Sequence, residues 1–406
     1  MSTARVYFPG LNGLRFFAAF AVIVTHVELM KKYLGFNNNW YDPGRTIKSY
    51  PLRHILDGEI NWLNPLVAEF GPLGVIFFFV LSGFLITYLL YVERENVGHI
   101  SVKNFYLRRV FRIWPLYYFI FILGFFVLPH LDFFYVPGQT EELEVHFWGN
   151  FWSYLAIFPN LGYSMYQAVP NIGQSWSIGV EEQFYLIWPL IIRYFKKPLH
   201  AILWVTGILL AVKAGVVITT RFYSPEWMLI LKKFLAMSKI ECMAIGALGA
   251  WLLYFKKEKI LSLMKTMGAQ ILAYLGIIAL LYLTPAVIQD GAHLVFAMFF
   301  LIIILNVSTN PKSLIKLEFK LFDTLGKISY GIYMYHLMVV VFTIHFYKWA
   351  MAKENVFTFT DGLLIYLIAT LLTIGISWLS YTYLEHRFIR MKSKFSRVLS
   401  GDEAKK

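Results

Sequence analysis

The chain alternates between long apolar runs and short polar ones. Ten runs, near 14–31, 72–91, 113–129, 176–194, 201–219, 238–255, 269–289, 292–309, 328–347 and 361–382, are long and apolar enough to read as membrane spans. A helix needs about 20 mostly apolar residues to cross the hydrocarbon layer. The pattern therefore predicts an all-α polytopic integral membrane protein, with residues 1–390 forming a single transmembrane domain and 391–406 a short basic tail. Such a tail is expected to fray or rest on anionic lipid. The segment FWGNFWSYLAIFPNL (147–161) is too short to span, and its Trp and Phe content predicts an interfacial or re-entrant piece.

Composition and charge sharpen this picture. The chain is 58% hydrophobic and 15% charged, whereas a soluble domain carries about a quarter charged residues. A net charge of +13 could suggest a nucleic-acid partner, but the Lys and Arg residues cluster between the apolar runs. With ten spans both termini lie on one side, and 25 of the 37 basic residues fall on it, which makes that side cytoplasmic. The charge is thus topology: the lipid bilayer is the implied partner, nucleic acid is not, and a multi-pass protein of a cell membrane, such as the bacterial inner membrane, is expected. The first run has no small-residue cleavage signature and reads as a retained span. Cys242 has no second cysteine to pair with, which excludes an internal disulfide and a cysteine-based zinc site.

The first span carries the most informative chemistry. In NGLRFFAAFAVIVTHVE (12–28), Arg15 and His26 are eleven residues apart. That is about three helical turns, so both leave one face, roughly 16 Å apart along the axis. Ionisable groups at membrane depth usually turn toward a bundle interior or a water-filled cavity. Four other segments carry comparable groups. Ser82-Gly83 in FFFVLSGFLIT is a close-packing point or a place where backbone borders a buried site. FYLRRVFRIWPLYY holds Arg108, Arg109 and Arg112, the last two on one face and suited to phosphate, with Tyr106 beside them as aromatic surface. Lipid head groups are the competing ligand for these arginines. WSIGVEEQFYLIWP carries Ser177, Glu181 and Glu182; Ser177 and Glu181 face the same way, and a carboxylate there could orient an imidazole. ISYGIYMYH sets His336 among Tyr330, Tyr333 and Tyr335, a surface able to line a substrate site. Near the end, Glu385 with Arg387 and Arg390 reads as an ion-pair cluster.

Several chemistries are absent. There is no HExxH, and His26 and Glu28 cannot share a helix face, so no metal is expected. No G-x-S-x-G elbow, Walker loop or GxGxxG occurs, which argues against a serine hydrolase or an ATP-driven machine.

Together, GLRFFAAFAVIVTH with its Arg-x10-His spacing, FFFVLSGFLIT, FYLRRVFRIWPLYY with its R-x-x-R, WSIGVEEQFYLIWP, ISYGIYMYH and YLEHRF occur in an order that resembles the membrane-bound acyltransferase family 3. Its members O-acylate cell-surface or secreted carbohydrates and other small molecules. The resemblance covers essentially the whole chain. It implies transfer of an acyl group, acetyl being the one expected, from acetyl-coenzyme A in the cytosol to a hydroxyl of a glycan or glycolipid. Carried over by position, the family's pair falls on Arg15 and His26, its R-x-x-R on Arg109 and Arg112, and its span-four acid on Glu181. The implied roles are donor binding for Arg108, Arg109, Arg112, Tyr106 and Ser82, catalysis for His26, Arg15 and Glu181, and substrate contact for His336, Tyr333 and Ser177. His26 would serve as base or as transient acyl carrier. Relatives commonly have Glu-Lys-Pro where this chain has Glu385-His386-Arg387. Many also append a hydrolase-like domain; none follows the last span here, so direct transfer within the membrane domain is expected. The alternative is a transporter of a polar solute, since intramembrane Arg, His and Glu also mark solute paths, although no inverted repeat supports it. Trp40, Trp62, Trp148 and Trp152 in the outer loops could meet sugar rings or simply the membrane interface.

Overall fold

The computed structural model describes residues 4–35, 63–195, 197–283, 291–352 and 358–401, together with Ala404. Trp40 and Trp62 lie outside the described residues. A short strand, β1 (Ala4–Val6), leads into α1 (Leu11–Tyr33). Helix α2 (Leu63–Val97) has 35 residues, which at 1.5 Å per residue is roughly 50 Å, and so outruns a hydrocarbon layer of about 30 Å. Helix α3 (Val102–Phe126) returns.

Three short helices follow: α4 (Gln139–Val145), α5 (Phe147–Leu155) and α6 (Pro159–Met165). They occupy the segment expected to be interfacial, and Trp148 and Trp152 of α5 are exposed. Then come α7 (Trp176–Tyr194), α8 (Pro198–Thr219), α9 (Glu226–Met237), α10 (Ile240–Tyr254), α11 (Glu258–Met264), α12 (Met267–Leu283) and α13 (Ala292–Thr309). The chain closes with α14 (Lys320–Lys327), α15 (Ser329–Ala350), α16 (Phe359–Ser380), a π-helical turn (Tyr381–Glu385), α17 (His386–Ser393) and β2 (Val398–Ser400).

This is an all-α polytopic membrane protein. Among the described residues eight helices are long and apolar enough to cross a membrane, or nine if α11 and α12, bent by 57°, form one broken span. Helix α7 forms where a span was anticipated, but with Glu181, Glu182 and Arg193 it is not among these eight or nine. Burial sorts the helices into a centre and a lipid-facing rim. Of its most apolar stretch, α15 buries 78% and α8 only 11%. Exposed Leu203, Trp204, Ile208 and Ile218 on α8 would be a liability in water and are ordinary against lipid.

Helices α2 and α10 meet at backbone distance. A Cβ added to Gly83 would lie 1.9 Å from the Met243 carbonyl oxygen, and one added to Gly246 would lie 1.9 Å from that of Val80. Small residues at such crossings replace the missing hydrophobic drive with close van der Waals contact. Gly83 thus takes the packing role anticipated for Ser82-Gly83, which leaves Ser82 to face elsewhere.

The basic tail differs from expectation. Rather than fraying, β2 pairs in parallel with β1, with Ala4 opposite Val398, Arg5 opposite Leu399 and Val6 opposite Ser400. The Arg108 Nη1 donates to the Phe395 carbonyl at 2.9 Å, and the Phe111 and Phe395 rings stack at 5.7 Å. Backbone hydrogen bonds and one half-buried aromatic pair supply what composition alone did not reveal.

Candidate active site

A cavity of about 340 Å³ opens among α1, α2, α3, α7, α15 and the paired strands. Arg15, Arg109, Arg112, Lys327 and Lys392 line it, and among the described residues Glu181 is the one acidic side chain that does. Such a surplus of cations in a largely apolar wall selects an anion.

Each group is held by its helix neighbours. The Arg15 Nη1 donates to Asn12 Oδ1 at 3.0 Å, one turn back, and Asn12 Nδ2 donates to Asp323 Oδ1 at 2.8 Å. Arg109 lies 5.7 Å from the ring centres of both Phe105 and Tyr185, and its buried Nε has no hydrogen-bond partner. A buried donor left open is costly, and a phosphate oxygen would relieve it. Arg112 sits over the Tyr330 ring at 5.8 Å and pairs with Glu385 at 3.6 Å. The anticipated ion pairs of Glu385 with Arg387 and Arg390 are not formed; its partner comes from α3 instead.

Deeper, Ser82 Oγ donates to Glu181 Oε1 at 2.8 Å, and the Tyr185 hydroxyl donates to Oε2 at 3.1 Å. Ser177 Oγ and the Tyr333 hydroxyl are 2.6 Å apart, and the Tyr333 hydroxyl donates to the Gln174 carbonyl at 3.0 Å. Ser82, Ser177, Glu181 and Tyr333 all line the cavity.

His26 is not among the lining residues; it sits further along α1 beside His336 of α15. The His26 Nδ1 is 2.9 Å from the Val22 carbonyl and 3.3 Å from His336 Nε2, while His336 Nδ1 is 2.6 Å from the Tyr333 carbonyl. Carbonyls only accept, so neutral His336 carries its proton on Nδ1 and offers Nε2 as an acceptor. Both neighbours of His26 Nδ1 are then acceptors. That nitrogen holds the proton, and the lone pair of His26 is left on Nε2.

The anticipated groups therefore divide. Arg15, Arg109, Arg112, Ser82, Glu181, Ser177 and Tyr333 converge on one cavity, while His26 and His336 pair beyond it. Glu181 does not orient His26; its two oxygens take Ser82 and Tyr185. Arg108 lies outside the cavity, spent on Glu93 at 2.8 Å and on Phe395. The Tyr106 hydroxyl donates to the Leu186 carbonyl at 2.6 Å, also away from the cavity. Tyr330, anticipated beside Tyr333 as substrate-site surface, also lines the cavity, whereas sequence reasoning missed Tyr185, Lys327 and Lys392. Tyr185 stands four residues after Glu181 and was within reach of helical spacing; the others arrive through tertiary contacts.

The sequence has relatives among known proteins. A family model described as an acyltransferase domain matches residues 8–382. The chain belongs to this acyltransferase family. It is 26% identical over 395 residues to the O-acetyltransferase OatA of Staphylococcus aureus, covering 93% of this chain and 57% of the relative. It is 27% identical over 366 residues to the peptidoglycan O-acetyltransferase OatA of Listeria monocytogenes, covering 84% of this chain and 50% of the relative. The chain thus spans about half the length of these relatives. No solved structure matches it.

Proposed function

We propose that this acyltransferase moves an acetyl group from acetyl-coenzyme A, reached from the cytoplasmic side, to a hydroxyl of a cell-envelope glycan such as peptidoglycan. The observation that carries the reading is a cationic cavity that takes in Arg15 of α1, with His26 further along the same helix and paired with His336 of α15. The names of the relatives support the acetyl group and the glycan.

Coenzyme A supplies an acyl carbon activated as a thioester and several phosphates on a long flexible arm. In this reading Arg15, Arg109 and Arg112 hold the phosphates, and the open Nε of Arg109 fits such a ligand. His26 lies roughly 16 Å further along α1 than Arg15, a gap the extended arm would bridge. There the Nε2 lone pair of His26 takes the proton of the acceptor hydroxyl as its oxygen attacks the thioester carbon; the C–S bond breaks and the proton returns to the departing thiolate, giving the ester and free coenzyme A. Alternatively Nε2 itself attacks, the thiolate leaves, and the acceptor oxygen then displaces the imidazole. His336 keeps the His26 proton on Nδ1, so the lone pair stays on Nε2. Glu181, held by Ser82 and Tyr185, fixes the polar floor between the two ends.

The test is transfer of label from radiolabelled acetyl-coenzyme A in membranes containing the wild type or His26→Ala, with cell-envelope glycan and lipid extract as acceptors. Product from the wild type and none from an equally abundant His26→Ala protein is expected. Equal labelling by both would remove His26 from the mechanism. Label on the wild-type protein itself that hydroxylamine or mild acid releases, and that is absent from His26→Ala, would select the acyl-carrier route.

A further inference from the structure

Three consecutive residues near the C-terminal end of α2 each reach a different helix. Successive helical positions point about 100° apart, so a single turn can touch three neighbours. Glu93 turns to α3: its Oε1 accepts from the Ser101 backbone N–H at 3.0 Å, and its Oε2 accepts from Arg108 Nη2 at 2.8 Å. Arg94 turns to α7 and donates to the Ile192 and Arg193 carbonyls at the end of that helix. Glu95 turns to α10 and accepts from the Tyr254 hydroxyl at 2.8 Å.

The Glu93 contact is a clamp. Ser101 immediately precedes α3, and Arg108 stands about two turns further on the same face, its side chain leaning back toward the helix start. One carboxylate that takes both fixes the rotation of α3 as well as its height. Glu93 is only 2% exposed, so its charge is tolerated because both oxygens are satisfied. The connection from α2 to α3 is short, and Gly98 adopts φ of +76° in it, the left-handed conformation that ends a helix. Arg109 follows Arg108 directly, and Arg112 lies one turn beyond. The rotation set at Glu93 is therefore the one that turns these two arginines into the cavity they line. Among the described residues, α10, the helix that Glu95 holds, supplies none that lines it.

We propose that Glu93 is a positioning residue for donor binding, which by clamping α3 at Ser101 and Arg108 aims Arg109 and Arg112 at the phosphates of the donor. The inference rests on the acetyl-coenzyme A reading and extends it to a residue outside the cavity. It also gives Arg108 a part in donor binding without contact: its charge holds the clamp.

The test is equilibrium binding of coenzyme A and of pantetheine, which lacks the nucleotide phosphates, to the purified full chain in nanodiscs of zwitterionic lipid. Transfer kinetics are measured on the same preparations. Glu93→Ala is expected to weaken coenzyme A binding by about 10- to 100-fold, as small displacements of directional contacts do, and to leave pantetheine binding unchanged. The KM for acetyl-coenzyme A should rise by the same factor while kcat stays at the wild-type value, since His26 is carried by α1. Glu93→Ala strands the Arg108 guanidinium, so a second variant guards against misfolding: Glu93→Leu with Arg108→Leu removes both charges and should show the same phosphate-selective loss. Glu95→Ala, which frees only α10, should bind both probes as the wild type does.

Wild-type affinity for coenzyme A in both Glu93 variants, or equal weakening toward both probes, would overturn the positioning role and leave the donor reading standing. So would a loss in Glu95→Ala as large as that in Glu93→Ala, because the turn would then brace the bundle as a whole. A wild type that binds coenzyme A no better than pantetheine would overturn the donor reading and this inference together.

Discussion

His336 Nε2 lies 3.3 Å from His26 Nδ1, joining two helices whose histidines are 310 positions apart in the chain. The contact matters for what it does to the far side of the His26 ring. With Nδ1 committed as a donor, Nε2 is the basic nitrogen, and the ring cannot switch tautomers without losing both neighbours.

Removing that constraint should slow turnover without touching donor binding. His336→Ala is expected to lower the rate of label transfer by about 10- to 100-fold, the range seen when a group orienting a functional imidazole is lost, with unchanged coenzyme A affinity. His336→Gln, which can still present an acceptor oxygen, should recover much of the rate. Equal loss of rate in both variants would point to packing instead, since His336 is fully buried.

The pair also sets the sign of the pH dependence. A neutral His26 is active and a protonated one has no lone pair on Nε2, so activity should be full at higher pH and fall as pH drops through the titration of the pair. The acid limb should shift in His336→Gln, because a charged His26 would then face an amide and not a second imidazole. A pH–rate profile measured with saturating donor reads this directly; an unmoved limb would show that the pair does not titrate in catalysis.

Arg112 carries both structure and chemistry, and a double substitution separates them. Its partner Glu385 is only 3% exposed, so Arg112→Ala leaves a buried carboxylate unpaired at a cost of about 3–5 kcal/mol. The folded yield should fall sharply. Adding Glu385→Leu should restore the yield but not coenzyme A binding. Size-exclusion profiles and equilibrium binding of the same preparations check the two halves.

The crossing of α2 and α10 leaves no room for a methyl group. Gly83→Ala should destabilise the protein by about 1–3 kcal/mol or more, because the added carbon meets backbone that cannot rotate away. Gly207→Ala on lipid-facing α8, where a Cβ meets nothing within 4 Å, should be neutral. Thermal melting in detergent distinguishes them, and similar melting temperatures would contradict the tight crossing.

What the sequence determined by itself follows from the bilayer's two strict demands, long apolar runs and satisfied backbones. Those runs located the helices, the charge bias between them set the sides, and helical spacing put Arg15 and His26 on one face. The ordered motifs carried the acyltransferase resemblance. Helical periodicity, however, relates only residues on the same helix. That His26 meets His336 and not Glu181, that Glu385 answers Arg112, and that Arg108 turns from the cavity to pin the tail are choices between helices, made by packing at crossings such as Gly83 against Met243. The tail was misread for the same reason: its basic composition resembles that of a frayed end, and only the tertiary structure supplies β1 and Phe111 as its partners.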